Sequence, residues 1–325
     1  MTAGRPAQIT GADVDRARRR IAGLVDPSPV VRSPELSRRL GGEVWLKLEN
    51  LQPPGSFKVR GAASKMLALS EKQRTRGVIT SSGGNHGAAV GYVARLLRIP
   101  AVICVPETVD PVKLRAITES GAEAIVRGAT FDEAAEVSRD LEQERGLCYV
   151  HAFDDPDVIA GQGTIGLELL EQIPGLAAVA AAVSGGGLIG GLGIALKGQR
   201  PSIRVIGVSA ENAATMVASL RAGHPVDLPH QDTLAEVLAG GIGLRNHWSF
   251  EAVRQFVDDH VLVSEDEISR AMRFALRTHH VLAEGGGSVP MAAALAGKLQ
   301  PPAGSAGPLA IVVSGGNVDP AAVVG

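Results

Sequence analysis

Lys58, in the stretch "NLQPPGSFKVRGA" (50–62), is the first residue whose surroundings point to chemistry. Two prolines and a glycine end an extended run, and helical spacing begins at once, with the lysine between Phe57 and Val59. Lysine normally lies on solvated surface, and its charge is disfavoured in the first turn of a helix, where the dipole is already positive. Burial and a helix N-terminus both favour the neutral amine, the nucleophile needed to make a Schiff base. Lys47, Lys65, Lys72, Lys113, Lys197 and Lys298 lack this Gly-Ser turn with its flanking aromatic.

Three glycine turns follow strand-like runs. "SSGGNHG" (81–87) opens a helix at about His86, and its backbone amides suit an anion such as a carboxylate, with Ser82 and Asn85 adding polar groups. An Asn/Gly-rich helix cap is the plainer account. "SGGGLIGG" (184–191) presents bare amides fit to cradle a phosphate. Gly185, Gly187 and Gly190 also satisfy G-x-G-x-x-G, with Glu211 at about the Rossmann distance, so an NAD-binding oxidoreductase stands as an alternative. Close helix–strand packing would use the same glycines. "VVSGGN" (312–317) ends the last strand-like run with the hydroxyl of Ser314.

No metal site is expected. His224, His230, His247 and His260 have no i,i+4 partner, His279 and His280 face different sides of a helix, and no cysteine pair has zinc spacing.

These residues need elements to hold them. Short β-branched runs at 43–49, 77–80, 100–105, 122–126, 147–150, 176–183, 203–209, 260–264 and 308–314 alternate with helical periodicity at 86–98, 130–144, 157–172, 187–198, 265–279 and 287–299. That alternation predicts an α/β fold of parallel sheets, covered by helices on both faces and split by a cleft. Ligands bind such sheets at the strand C-terminal ends, where the glycine turns lie.

Composition narrows the function classes. The chain has 325 residues, 45% hydrophobic and 20% charged, with a formal net charge of -2, so no field recruits nucleic acid or an anionic membrane. Arg5, Arg16, Arg18, Arg19 and Arg20 are followed by no apolar segment of signal-peptide type. "GLAAVAAAVSGGGLIGGLGIAL" (175–196) reads as a buried strand and helix, not a membrane span. Cys104 and Cys148 read as buried free thiols, and a cytoplasmic location is expected.

Taken together the motifs resemble the fold-type II pyridoxal-phosphate enzymes, the tryptophan synthase β-like fold, in the threonine/serine dehydratase and serine racemase family. "KLENLQPPGSFKVRGA" is similar to the family's lysine segment, "SSGGNHG" to its asparagine loop and "HAFDDPDVIAGQGTIGLEL" (151–169) to its central signature. "SGGGLIGG" and "VVSGGN" are similar to its phosphate loop and terminal serine motif. The resemblance implies a large cofactor-binding domain from 1–76 and 153–325, and a small mobile domain at 77–152. It implies pyridoxal 5'-phosphate held covalently by Lys58 beside Phe57, with Asn85 on the ring oxygen and Ser314 on the ring nitrogen. Ser184, Gly185, Gly186, Gly187 and Leu188 would hold the phosphate, Glu284 would lie near the ring, and Ser82, Gly83, Asn85 and His86 would meet the substrate carboxylate.

The implied activity is β-elimination of a β-hydroxy amino acid such as L-threonine or L-serine to a 2-oxo acid and ammonia, by a homodimer or higher homo-oligomer. An amino-acid racemase of the same fold is the alternative within the family. Ser184 replaces the first of four common glycines and adds a donor; "AEVLAGGIGL" (235–244) and "EGGG" (284–287) are closer to the phenylserine and hydroxyectoine-utilisation dehydratase branch. Val217 stands where some relatives place the second acid of a cation site beside Glu211. No C-terminal regulatory domain is expected. In the serine racemases a serine two positions before the loop asparagine returns the proton from the second face; here that position is Gly83.

Overall fold

The structure, a computed structural model, describes residues 8–299 and 307–324. Arg5, part of the N-terminal reading, lies outside them. Ten strands form two sheets. They are β1 (Val30–Arg32), β2 (Val44–Leu48), β3 (Val78–Ser81), β4 (Ala101–Val105), β5 (Glu123–Val126), β6 (Cys148–Tyr149), β7 (Ala178–Ala182), β8 (Arg204–Ala210), β9 (Asp259–Val263) and β10 (Leu309–Val313). The six-stranded sheet has the order β1-β2-β10-β7-β8-β9, and the four-stranded sheet the order β5-β4-β3-β6.

Every residue of β4, β7 and β10 is buried, as continuous apolar runs covered on both faces must be. The edge strands β5 and β9 carry partly exposed residues. One strand departs from the parallel pattern. β1 pairs antiparallel with β2, Val31 opposite Leu46, and its three residues are too few to show a period. The arginine-rich N-terminal stretch is an amphipathic helix, Gly11–Ile21; it buries Val14, Ala17 and Ile21 while Arg18 and Arg20 pair with Glu171 and Asp157. Cys104 is buried but Cys148 is only half-buried, and burial raises both thiols, Cys104 to about 11. His280 lies past the end of its helix in the left-handed region, which is what separates it from His279. No helix among the described residues is long and apolar enough to cross a membrane.

The glycines of the central signature bring helix backbones into contact. A Cβ on Gly163 of the helix Pro156–Gln172 would stand 2.7 Å from the carbonyl oxygen of Gly191 in the helix Gly187–Gln199. The helix Lys58–Ala68 packs against Pro156–Gln172 on one side and against Asn85–Leu97, which covers the small sheet, on the other.

A buried ionic cluster locks this junction. The Arg60 guanidinium donates to Glu49 at 2.7 and 2.8 Å, and to Glu168 at 2.6 and 2.9 Å. Lys47 of β2 donates to Glu168 at 2.5 Å, to Gln172 at 2.8 Å and to the carbonyl of Ser28 at 2.8 Å. Arg60, Lys47 and Glu49 are all 0% exposed. Burial pushes the Glu49 carboxyl upward, but Arg60 and Lys47 override it and hold the group below the usual carboxylate value. Removing one member of such a cluster strands the opposite charges in a dry interior.

Arg60→Met should therefore cost about 3–5 kcal/mol, read from the urea midpoint with a constant m-value. Arg18→Ala, which breaks an exposed pair with Glu171, should cost under ~1 kcal/mol. Equal losses would show that the buried cluster carries no special weight.

Candidate active site

Five chain segments meet at the C-terminal ends of the strands. The segment after β2 carries Lys58 as the first residue of its helix. Lys58 is half-buried as a residue; its amine donates to the carbonyl of Ala152 at 2.8 Å and lies 5.2 Å from the centre of the Phe57 ring. Desolvation by its surroundings lowers the ammonium from 10.5 to about 8, against a smaller opposing pull from Glu284. Burial thus favours the neutral amine more than at an exposed lysine.

The residue after Ala152 builds the next wall. A Cβ on Gly185 would fall 2.3 Å from the Phe153 ring, and one on Gly187 2.9 Å from the Phe153 carbonyl oxygen, so the glycine loop lies directly on Phe153. Gly186 has φ +89°, which favours glycine. The loop leads into the helix Gly187–Gln199, whose N-cap offers no side-chain acceptor, so its first N–H groups keep their capacity to bind an anion. The Ser184 hydroxyl was expected to add a donor to this loop. Instead it donates to the carbonyl of Leu238 at 2.9 Å, tying the loop to 235–244.

On the small-sheet side the helix opens at Asn85, one residue before the position expected. Asn85 is 8% exposed and donates to Glu284 at 2.6 Å. Burial raises the Glu284 carboxyl to about 7, although the bond from Asn85 pulls it down. Ser82 accepts from the N–H of Gly84 at 3.2 Å, which leaves its own hydrogen available. His86 differs from expectation. Its Nε2 faces the carbonyl of Val150 at 2.9 Å, and burial lowers the ring to about 3, so the imidazole is neutral and committed to the backbone. Only its main-chain N–H remains for a carboxylate. Gly83 is bordered by Val109 and Val105, with no ionisable group against it.

Ser314 closes the ring of segments. It is 5% exposed, and its carbonyl accepts from the N–H of Phe57 at 3.0 Å. Ser56 bridges to Gly315, and the Ser56 hydroxyl is buried with no partner among the described residues. A Cβ on Gly315 would stand 2.0 Å from Glu284 Oε1 and 3.1 Å from Asn85 Nδ2. Lys58, Asn85, Glu284, Ser314 and the glycine loop are therefore one site. Ala152, Phe153 and Asn317 were missed as members of it. Only their place in recurring motifs marks the last two, and a main-chain carbonyl leaves no mark in a sequence.

Gly190, the third glycine of the dinucleotide pattern, packs its helix against Ala252, while Glu211 lies in a 3-10 turn after β8. Among the described residues no three His, Cys, Asp or Glu side chains group as metal ligands would.

Comparison with known proteins agrees with this geometry. A family model described as "Pyridoxal-phosphate dependent enzyme" matches residues 21–315. The chain is 42% identical over 311 residues to the L-threonine ammonia-lyase of Thermotoga maritima, covering 96% of this chain and 76% of that one. It is 39% identical to a catabolic L-threonine dehydratase of Staphylococcus aureus, covering 96% and 90%. Among solved structures, maize serine racemase superposes with a TM-score of 0.92 at 33% identity, over 98% of this chain and 96% of that one. The serine racemase of Dictyostelium discoideum gives 0.89 at 33% identity, over 96% and 100%.

In protein stripped of small molecules, an amine-directed acylating reagent should label Lys58 with a pH midpoint near 8, read by peptide mass spectrometry. A midpoint near 10.5 would mean that the surroundings do not depress the amine.

Proposed function

We propose, on the premise that this chain belongs to the pyridoxal-phosphate-dependent enzyme family, that it converts a β-hydroxy amino acid such as L-threonine or L-serine to a 2-oxo acid and ammonia. The observation that carries the reading is the Lys58 amine, held through Ala152 and Phe153 beside an uncapped helix N-terminus, with burial disfavouring its charged form. An amine that forms a Schiff base and an anion cradle are the two features that pyridoxal phosphate demands. When bound, the group supplies an electron sink that acidifies the Cα–H of an amino acid and lets a β-hydroxyl leave.

The chain's own residues divide the remaining work. Lys58 would hold the cofactor through its amine and, as the free amine, would take the Cα proton. The main-chain amides of Ser184, Gly185, Gly186, Gly187 and Leu188 would meet the phosphate, the Ser184 hydroxyl being turned to Leu238. Asn85 would meet the ring oxygen with Glu284 behind it, and Phe57 would border the ring. Ser314 would meet the ring nitrogen with a neutral hydroxyl, which cannot stabilise a protonated ring as a carboxylate would. That weak sink suits prompt expulsion of a β-hydroxyl. Ser82, the loop amides around Gly83 and the main-chain N–H of His86 hold the substrate carboxylate. The unit at 77–152 closes on the rest of the chain to exclude water; Lys113, in the small unit, already reaches Glu236 at 3.7 Å. The free thiols of Cys104 and Cys148 suit a reducing cytoplasm.

Elimination is favoured over racemisation because Gly83 carries no side chain to return a proton from the face opposite Lys58. The relatives compared include enzymes of both kinds, so this residue is what separates the two readings.

Lys58→Ala should reduce 2-oxo acid formation by several orders of magnitude while the far-ultraviolet dichroism stays unchanged. Near-normal turnover would move the chemistry to another lysine. For stereochemistry, L-threonine or L-serine incubated in D2O should return with little or no inversion at Cα. Inverted amino acid formed as fast as 2-oxo acid, seen by chiral chromatography, would overturn the assignment of Gly83.

A further inference from the structure

Asn317, the last residue of "VVSGGN", has no role in the scheme above. It is exposed as a residue, yet both hydrogens of its amide nitrogen are used inside the site. Nδ2 donates to the carbonyl of Pro54 at 2.8 Å and to Asn85 Oδ1 at 2.7 Å. The approach is close: a Cβ on Gly55 would overlap Asn317 Oδ1 at 2.0 Å, and Gly55 has φ +76°.

The orientation of the whole set follows from one atom. The Pro54 carbonyl can only accept, so Asn317 must present nitrogen to it. The second hydrogen of that nitrogen then faces Asn85, which must present its oxygen. Asn85 is left with nitrogen toward Glu284, as found at 2.6 Å. Its remaining N–H has no acceptor among the described residues, though Asn85 is 8% exposed. An asparagine held at one end only can swap oxygen for nitrogen at modest cost. Here that swap would set two oxygens, or two donors, face to face.

We propose that Asn317 is a positioning residue that fixes the amide of Asn85, so that the spare N–H of Asn85 faces the cofactor's ring oxygen. The inference rests on the assignment of Asn85 to that oxygen. It also joins three segments through a single side chain: the loop before Lys58, the helix start on the small sheet, and the end of β10.

Asn317→Asp replaces the nitrogen that makes both donations with an oxygen that can only accept. The amide of Asn85 then turns to donate to the new carboxylate and presents its oxygen where the spare N–H was. Asn317→Ala removes the donors without adding charge. Cofactor-free protein in each form is titrated with pyridoxal phosphate, followed by the visible absorbance of the lysine-bound group. Asn317→Asp should weaken binding roughly tenfold and shift the absorbance maximum or its pH midpoint, as expected for losing a hydrogen bond to a charged oxygen. Asn317→Ala should change both in the same direction. Thermal melts of the cofactor-free forms should all show one cooperative folded transition, so that changes in binding are read on folded protein.

The deciding comparison adds Asn85→Ala and the double variant. If Asn317 acts through Asn85, Asn317→Asp should alter binding by less than about twofold in the Asn85→Ala background. A tenfold effect that persists there would overturn the inference and assign Asn317 to the Pro54 loop alone. Wild-type binding by both Asn317 variants, with Asn85→Ala weakened, would also overturn it while leaving the reading of Asn85 intact. Wild-type binding by Asn85→Ala would remove Asn85 from the cofactor, and the inference with it.

Discussion

The Arg60 guanidinium is the interaction on which the placement of the site depends. It lies two residues after Lys58, and its partners Glu49 and Glu168 belong to the segment after β2 and to the helix Pro156–Gln172. Because a charge in a dry interior tolerates little displacement of its partners, these elements hold one mutual position. The segment immediately before Pro156–Gln172 supplies Ala152, the acceptor for Lys58, and Phe153, the floor of the glycine loop. A bidentate arginine between two carboxylates has a geometry that lysine cannot reproduce. The cluster is therefore a rigid joint two residues from the reactive amine.

Beyond that joint, desolvation sets the charges. The same physics acts on three groups around the cleft. It lowers Lys58 to about 8 and His86 to about 3, and it raises Glu284 to about 7. All three are moved toward neutrality, as is the buried Lys47, whereas Arg60 and Glu49 are held in their charged forms by partners at hydrogen-bond distance. A desolvated pocket with one uncapped helix terminus suits an anionic cofactor.

The glycine content follows from the same architecture. Forty glycines would mark a flexible chain if they were spread evenly. Here the ones around the site let backbone touch backbone, ring or carboxylate: Gly163 on Gly191, Gly185 on Phe153, Gly315 on Glu284. Close approach, more than freedom of φ, is what these positions use, and it leaves main-chain amides as the lining of the pocket.

Much of this was legible in the residues alone. The alternation of apolar runs and helical periodicity anticipated nine strands, since burial on both faces leaves a continuous hydrophobic trace, and the glycine turns marked the ends where they meet. The desolvated setting of Lys58 was legible because a lysine at a helix start between apolar neighbours conflicts with solvation. Tertiary structure decided what depends on partners far apart in sequence. β1 was invisible because three residues show no period and its antiparallel pairing is set by β2. Lys47 and Arg60 read as ordinary basic residues until Glu49 and Glu168 were brought against them. His86 belonged to the expected carboxylate site by position, yet the fold turned its ring to Val150, 64 residues away. Asn317 acquires meaning only beside Pro54 and Asn85, because a hydrogen bond is fixed by where two atoms meet in space, and local sequence carries only half of each pair.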